Sequence, residues 1–353
     1  MQLNNKGSIT LLATIIGLLI LTGYQLNDPS LQRPADIKGL TAEQGGADMP
    51  VELNWGAVNV PATVLWSAPG ALRDYDELML REHNDPAGWS SGMDPDMRLW
   101  LVGKAETVAI YGEPVYILKR SGPWLRVAAR EQKTRLNENG YPGWVPASHI
   151  AVSGTYLNET EGLPRVVVCT KTASIYLDTA LTQKKGEAPY QTRLPLLEEK
   201  NSVLAVRLPD GNTGYLSGSD AKNERDLTFS RAGIVSEAKQ FLDLPYLWAG
   251  ASSYGFDCSG FVMRLYQSQG ISIPRDADDQ ALAGTAVARD NLLPGDLVFF
   301  ATLKGTGQIH HVGMYIGDGQ MIHAPNSTAA VRIDNLAGSH YAEEYWGARR
   351  YAP

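Results

Sequence analysis

Cysteine is nearly missing from this sequence. Among 353 residues there are two, Cys169 and Cys258. They stand far apart and could close at most one bridge, so a disulfide framework is excluded. No C-x-x-C and no H-E-x-x-H stretch occurs, which removes the common zinc signatures. Histidine is also scarce, with six residues: His83, His149, His310, His311, His323 and His340. Positive charge is in deficit, 31 Lys and Arg against 38 Asp and Glu, for a net charge of -7. A nucleic-acid binder would show a basic patch or stripe, and none is present. A long membrane span is lacking too. The apolar run from Ile9 to Leu21 is shorter than the ~20 residues a spanning helix needs.

That run does fit the apolar centre of an export signal, with a Lys before it and a polar stretch after it. No cysteine follows it, so bacterial lipidation is excluded. Residues 1–28 are expected to be a signal peptide or a membrane anchor. Residues 29–50, rich in Asn, Asp, Gln, Pro and Gly, read as a tether. The expected location is the cell envelope or the medium, with membrane attachment through residues 9–21 if the segment is kept.

The rest of the composition, 44% hydrophobic and 20% charged, is that of globular protein. The length suggests two or three domains. Between 51 and 155, short β-branched and aromatic runs alternate with turns: "VNVPATVLWSAP", "ETVAIYGEPVYILKRSGPWLRVAAR", "GYPGWVPASHI". This spacing predicts a small barrel or sandwich, interrupted by the polar insert "GALRDYDELMLREHNDPAGWSSGMD". A second region, 160–229, repeats the pattern, with "LLEEKNSVLAVRLPDGNTGYLSGSDA" paralleling "ILKRSGPWLRVAA…GYPGWVPASHI". Cys169 lies in its apolar run "RVVVCT", where a core thiol is the expectation. From 230 to 353 the character changes. Two helix-periodic runs, "AGIVSEAKQFL" and "DCSGFVMRLYQSQG", precede the strand-like "GDLVFFA", "HHVGMYIGDGQMIHA" and "AVRIDN". Helices followed by a sheet predict an α+β domain.

Cys258 falls at a loop-to-helix junction. There, free backbone N–H groups favour a thiolate. Asp257 is a good N-cap type, and Ser259-Gly260 is small enough for a ligand to approach. The carboxylate of Asp257 opposes thiolate formation, so a cationic partner is expected. A buried core thiol remains the plain alternative. His310, His311 and His323 cluster in a hairpin-like stretch. Strand alternation puts His310 with Val312, Met314 and Ile316, and His311 with Gly313 and Tyr315, a track with room for a thiolate. A lone strand histidine is more often structural. Cysteine at a helix start followed by sheet histidines is the order of papain-like peptidases.

The combination "YLWAGASSYGFDCSGFV", "IPRDADDQ", "LLPGDLVFF" and "HHVGMYIGDGQMIHAP" resembles the NlpC-type cell-wall cysteine peptidases over about Ile234 to Pro353. The two β regions resemble bacterial SH3-like modules. The resemblance implies an α+β, papain-like catalytic domain preceded by two small all-β barrels. It implies Cys258 as nucleophile, His311 as base and His323 as the orienting residue, with Tyr246 and Trp248 beside the sulfur. The backbone N–H of Cys258 would serve the oxyanion. If both imidazoles act together, a regular two-residue turn at Asp318-Gly319 is excluded, because it would turn them to opposite faces. A three-residue loop or a bulge is expected instead.

Two SH3-like units before such a domain are similar to one branch, the γ-D-glutamyl-L-diamino acid endopeptidases. That likeness implies hydrolysis of the γ-D-Glu–diamino-acid bond in murein-derived peptides, without metal or organic cofactor. It implies that Ser259 and Arg275 hold the D-Glu carboxylate, since a guanidinium fork matches one. The branch often has serine where this chain has Ala277, which removes one hydrogen bond. Glu106, Tyr141 and Asp257 would receive a free L-Ala amine. Three alternatives remain open: a wall-binding protein with an inactive catalytic domain, a metal site using Cys258 with two histidines, and an acyl transfer or other amidase reaction on the same fold.

Overall fold

The computed structural model describes residues 55–352, apart from 71, 153–155 and 157–159. The expected export segment and tether lie outside the described residues. Among the described residues no helix is long and apolar enough to cross a membrane.

Seven strands build the first barrel: β1 (Trp55–Val58), β2 (Ala62–Trp66), β3 (Ala105–Ile110), β4 (Pro114–Ser121), β5 (Trp124–Ala129), β6 (Tyr141–Pro146) and β7 (Ile150–Ala151). Their order is β3-β2-β6-β5-β4-β1-β7. The second barrel comprises β8 (Arg165–Val168), β9 (Thr172–Tyr176), β10 (Lys184–Pro189), β11 (Arg193–Lys200), β12 (Val203–Arg207), β13 (Thr213–Ser217) and β14 (Ala221–Asn223). Its order, β10-β9-β13-β12-β11-β8-β14, is the same sequence of neighbours. The repeat extends to local detail. The β4–β5 and β11–β12 hairpins both carry a register shift after the fourth residue of the first strand, at Ile117/Lys119 and Leu196/Glu198. They close with different turn chemistry. Gly122-Pro123 opens with positive φ at the glycine, whereas Asn201 and Ser202 both take positive φ. Both are two-residue solutions that match strand twist.

The barrels differ in what covers them. All five residues of β2 are buried. Leu65 points into the first barrel's own core. Ala62, Val64 and Trp66 join a different core, shared with Phe256, Phe261, Val262 and Leu265 of the C-terminal domain. A strand buried on both faces reads as an unbroken apolar run rather than an alternating one. The insert after β2 looked polar in sequence, but it folds into short helices at Glu77–Leu80, Pro86–Ser91 and Pro95–Leu99. These send Met79, Trp89 and Met93 into the same shared core. Cys169, expected in the core, is only half-buried at the end of β8.

The C-terminal domain places helices α1 (Arg231–Lys239), α2 (Cys258–Ser268) and α3 (Ala277–Leu282) beside a sheet. Its strands are β15 (Thr285–Val287), β16 (Leu297–Ala301), β17 (Ile309–Gly317), β18 (Gln320–His323), β19 (Arg332–Asn335) and β20 (Tyr345–Arg350). The order is β15-β20-β16-β17-β18-β19, antiparallel throughout. Ser259 to Ser268 of α2 are all buried. The helix is therefore wrapped on every side, with the first barrel supplying part of the wrapping.

Candidate active site

Asp257 caps α2, accepting the Gly260 N–H at 2.7 Å. This fixes Cys258 as the first helical residue. Gly260 is required by backbone packing rather than by ligand access: a Cβ there would lie 2.1 Å from the Gly250 carbonyl oxygen.

The helix N-terminus does not leave Cys258 with a low pKa. Burial and then the Asp257 carboxylate push the thiol up to about 12. A hydrogen bond from the Val312 backbone, the Arg275 charge and the Ser259 backbone pull the other way without prevailing. The thiol keeps partial exposure, so the direction is what matters: the resting group is a thiol and needs a base. Contact with Val312 places it at the β17 position next to His311. The space over Gly313, expected to receive the sulfur, is filled. A Cβ at Gly313 would meet Met321 Sδ at 2.7 Å and His323 Cβ at 3.4 Å.

The β17–β18 hairpin keeps both imidazoles on one face. Gly317 pairs with Gln320 around the two-residue turn Asp318-Gly319, but the register shifts between Tyr315 and Gly317. Ile316 is the extra residue, a bulge that flips the parity of everything before it. His311 Nε2 then lies 2.7 Å from His323 Nδ1. His323 Nε2 lies 3.1 Å from Asp334 Oδ2, and Arg332 grips the same carboxylate at 2.8 and 3.0 Å. Burial raises the Asp334 pKa, but hydrogen bonds from Arg332 and His323 prevail and hold it below the usual range. Phe300 and Tyr341 flank the His311 ring at centroid distances of 5.8 and 5.7 Å. His310, by contrast, pairs with Glu344 at 3.3 Å. Asp334 was not singled out from the sequence. Alternation in "RIDN" puts it on one face with Arg332, but its pairing with His323 depends on the β18–β19 register.

Tyr246 is buried, and burial followed by the proximity of Cys258 and Asp257 holds its phenol neutral. Trp248 donates its indole N–H to the Ala105 carbonyl of β3 at 3.2 Å. Glu106 follows on that strand, half-buried. Tyr141 donates to Asp276 at 3.1 Å. Arg275 pairs within the protein. It is 1% exposed, and its fork closes on Asp257 at 2.6 and 3.1 Å. Its Nη1 also donates to Ser259 Oγ at 2.9 Å. Asp257 accepts from Arg275 and from its own helix cap. Burial disfavours the Arg275 charge, but the Asp257 carboxylate prevails and raises its pKa. Arg275 is the cation that the acidic cap required. Among the described residues no cluster of three or more His, Cys, Asp or Glu could hold a metal ion.

Residues 243–350 match the NlpC/P60 family, and residues 168–223 match the YKFC SH3b2 domain. A γ-D-glutamyl-L-lysine dipeptidyl-peptidase of Bacillus cereus is 41% identical over 84% of this chain and 90% of its own length. The chain belongs to the NlpC/P60 family. A second γ-D-glutamyl-L-lysine dipeptidyl-peptidase, from Bacillus subtilis, is 34% identical over 81% of this chain and 95% of its own length. The crystal structure of an NlpC/P60 family protein from Bacillus cereus superposes with a TM-score of 0.81. It is 40% identical and covers 85% of this chain and all of that one. Both the catalytic domain and the barrels before it thus have a counterpart of the same architecture.

Proposed function

We propose that this enzyme hydrolyses the bond between the γ-carboxyl of D-Glu and a diamino acid in murein-derived peptides, releasing L-Ala-D-Glu from peptides with a free L-Ala amine. The observation that carries this reading is the relay Asp334–His323–His311 ending beside the half-buried Cys258 thiol at the start of α2. The bond cut follows the activity of the two full-length relatives.

The chemistry follows from proton positions. The Asp334 carboxylate only accepts, so His323 Nε2 carries a proton toward it. His323 Nδ1 is then an acceptor and takes the proton of His311 Nε2. His311 Nδ1 is left bare. It receives the Cys258 proton as sulfur bonds to the γ-carbonyl carbon. The Cys258 backbone N–H stabilises the oxyanion. His311 Nδ1–H then protonates the leaving amine as the C–N bond breaks, giving a thioester. Water, deprotonated by His311, cleaves the thioester and restores the thiol.

Ser259, Tyr246 and Trp248 contact the D-Glu portion. Glu106 and Tyr141 of the first barrel, with Asp257 behind them, receive the amine. An amide nitrogen in that place leaves a carboxylate unsatisfied, at a cost of about 1–3 kcal/mol. Residues 1–28 direct export, which places the enzyme where wall peptides are found.

The test is digestion of L-Ala-γ-D-Glu-L-Lys and its N-acetylated form, with products identified by mass. Release of L-Ala-D-Glu from the free peptide, with the acetylated one cleaved roughly 5- to 150-fold more slowly, supports the reading. Equal rates remove amine recognition. Cleavage of neither at the γ bond removes the function.

A further inference from the structure

Thr107 lies on β3 of the first barrel, outside the relay and fully buried. Its hydroxyl accepts from Arg275 Nε at 2.8 Å and donates to Gln132 Oε1 at 2.6 Å. The direction of this chain is set from its far end. The Glu113 carboxylate can only accept. It takes the Ile110 N–H at 3.1 Å, Gln132 Nε2 at 2.9 Å and Arg264 Nη2 at 2.8 Å. The Gln132 amide nitrogen is also held by the Val108 carbonyl at 2.9 Å. Its carbonyl oxygen is therefore the atom turned to Thr107. Thr107 must donate there and keep a lone pair for Arg275. Thr107, Gln132, Glu113, Arg264 and Arg275 are each at most 3% exposed. The loop after β5 holds the arginine backbone too, with the Arg275 N–H on the Lys133 carbonyl at 2.9 Å.

We propose that Thr107 is a positioning residue for Cys258: it locks Arg275 onto Asp257, so that the carboxylate beside the nucleophile stays paired while the thiolate forms. The proposal rests on the reading of Cys258 as nucleophile. The groups facing the thiol are Asp257 at the start of its helix, Arg275 from the segment before α3, Tyr246 from the turn before α2, and Tyr341 from the short helix Ser339–Glu344. His311 of β17, backed by His323 and Asp334, completes the set. Arg275 in turn faces Asp257, Asp276 and Tyr141. Without the Thr107 acceptor, Arg275 Nε is buried and unpaired. The guanidinium then tilts away from Asp257, and the uncovered carboxylate disfavours the thiolate. The first barrel thus acts on the nucleophile itself, beyond lining the cleft.

The test uses the full chain and the variants Thr107→Val and Thr107→Ser. The rate of iodoacetamide labelling is followed from pH 6 to 10, on the rising flank below the thiol midpoint, so that a moved midpoint is read as a displaced flank, with Cys258 and Cys169 separated by peptide mapping. This readout needs no substrate, so it stands or falls independently of the bond assigned above. Thr107→Val should move the Cys258 labelling midpoint to higher pH by about half a unit or more, roughly threefold less thiolate at a given pH below the midpoint. Thr107→Ser, which keeps the hydroxyl, should restore the original midpoint. Cys169 labelling should not move in either. If Thr107→Val does not fold, Thr107→Ala removes the hydroxyl without setting a second methyl against Gln132 and is read the same way. An unmoved Cys258 midpoint in the folded variant overturns the proposal. So does a serine variant that shifts as far as the valine one.

Discussion

His311 Nε2 and His323 Nδ1 lie 2.7 Å apart, and this contact decides which nitrogen of each ring carries its proton. The rings meet edge to face at a centroid distance of 4.9 Å. Asp334 at the far end accepts only, so a single tautomer pair satisfies all three groups. An imidazole whose Nδ1 already lacks a proton loses no time in the wrong tautomer. The bulge at Ile316 is what permits the contact.

The relay assigns unequal weight to the histidines. Cys258→Ser and His311→Ala should each lower kcat/KM by about 10³-fold or more, with circular dichroism unchanged. His310→Ala should fall by less than about tenfold, because His310 lies outside the relay and pairs with Glu344. If His310→Ala is the dead variant, the base has been misassigned.

Asp334→Ala removes the acceptor that orients His323. We expect kcat to fall by roughly tenfold or more with KM nearly unchanged, since Asp334 sits two imidazoles away from substrate. Asp334→Asn can still present a carbonyl oxygen to His323 and should recover part of the rate. A rise in KM with kcat intact would mean that Asp334 shapes the cleft and not the base.

The two barrels, the cap at Asp257 and the same-face requirement on His311 and His323 were legible in the sequence, because each depends on local periodicity or parity. That parity calls for a three-residue loop or a bulge, and the fold takes the bulge, at Ile316. Asp334 could not be placed, since a strand's partner is set by non-local register. The pairing of Arg275 with Asp257 is not legible for a related reason. A guanidinium in a cleft suggests a substrate carboxylate, and only the fold reveals that Asp257 already fills the fork. The apolar run of β2 did carry a sign of double-sided burial, but nothing in it named the second face. The neutral resting thiol of Cys258 likewise reflects burial by distant segments, which outweighs the helix end visible in the sequence.

That neutral thiol has a pH consequence. Burial and Asp257 both disfavour the charged form, so lowering the pH cannot help and raising it must. In His311→Ala, with no base to take the proton, Cys258 labelling by iodoacetamide should be slow at pH 8. It should climb on the alkaline side, toward the value of about 12 set by burial and Asp257. Adding Asp257→Asn should bring the midpoint down. A midpoint near the ~8.5 of an ordinary thiol in His311→Ala would show that the surroundings do not suppress the thiolate.

Gly313 faces His323 across the hairpin, and its missing side chain sets how closely the two strands' groups can sit. A Cβ there would lie 2.7 Å from the Met321 sulfur and 3.4 Å from His323 Cβ. Met321 is fully buried against Phe300 and Tyr341, the rings that flank His311, so its displacement is transmitted to the base. Gly313→Ala should therefore destabilise the protein by about 1–3 kcal/mol, the usual range for overpacking, and lower kcat several-fold with little change in KM. Met321→Leu shortens the reach of the obstructing side chain. The double variant should regain much of both losses, because the residues touch and their effects are not additive. Denaturant unfolding and steady-state kinetics on the four proteins of the cycle test this together. Strict additivity of the two substitutions would mean that Gly313 is not held by Met321.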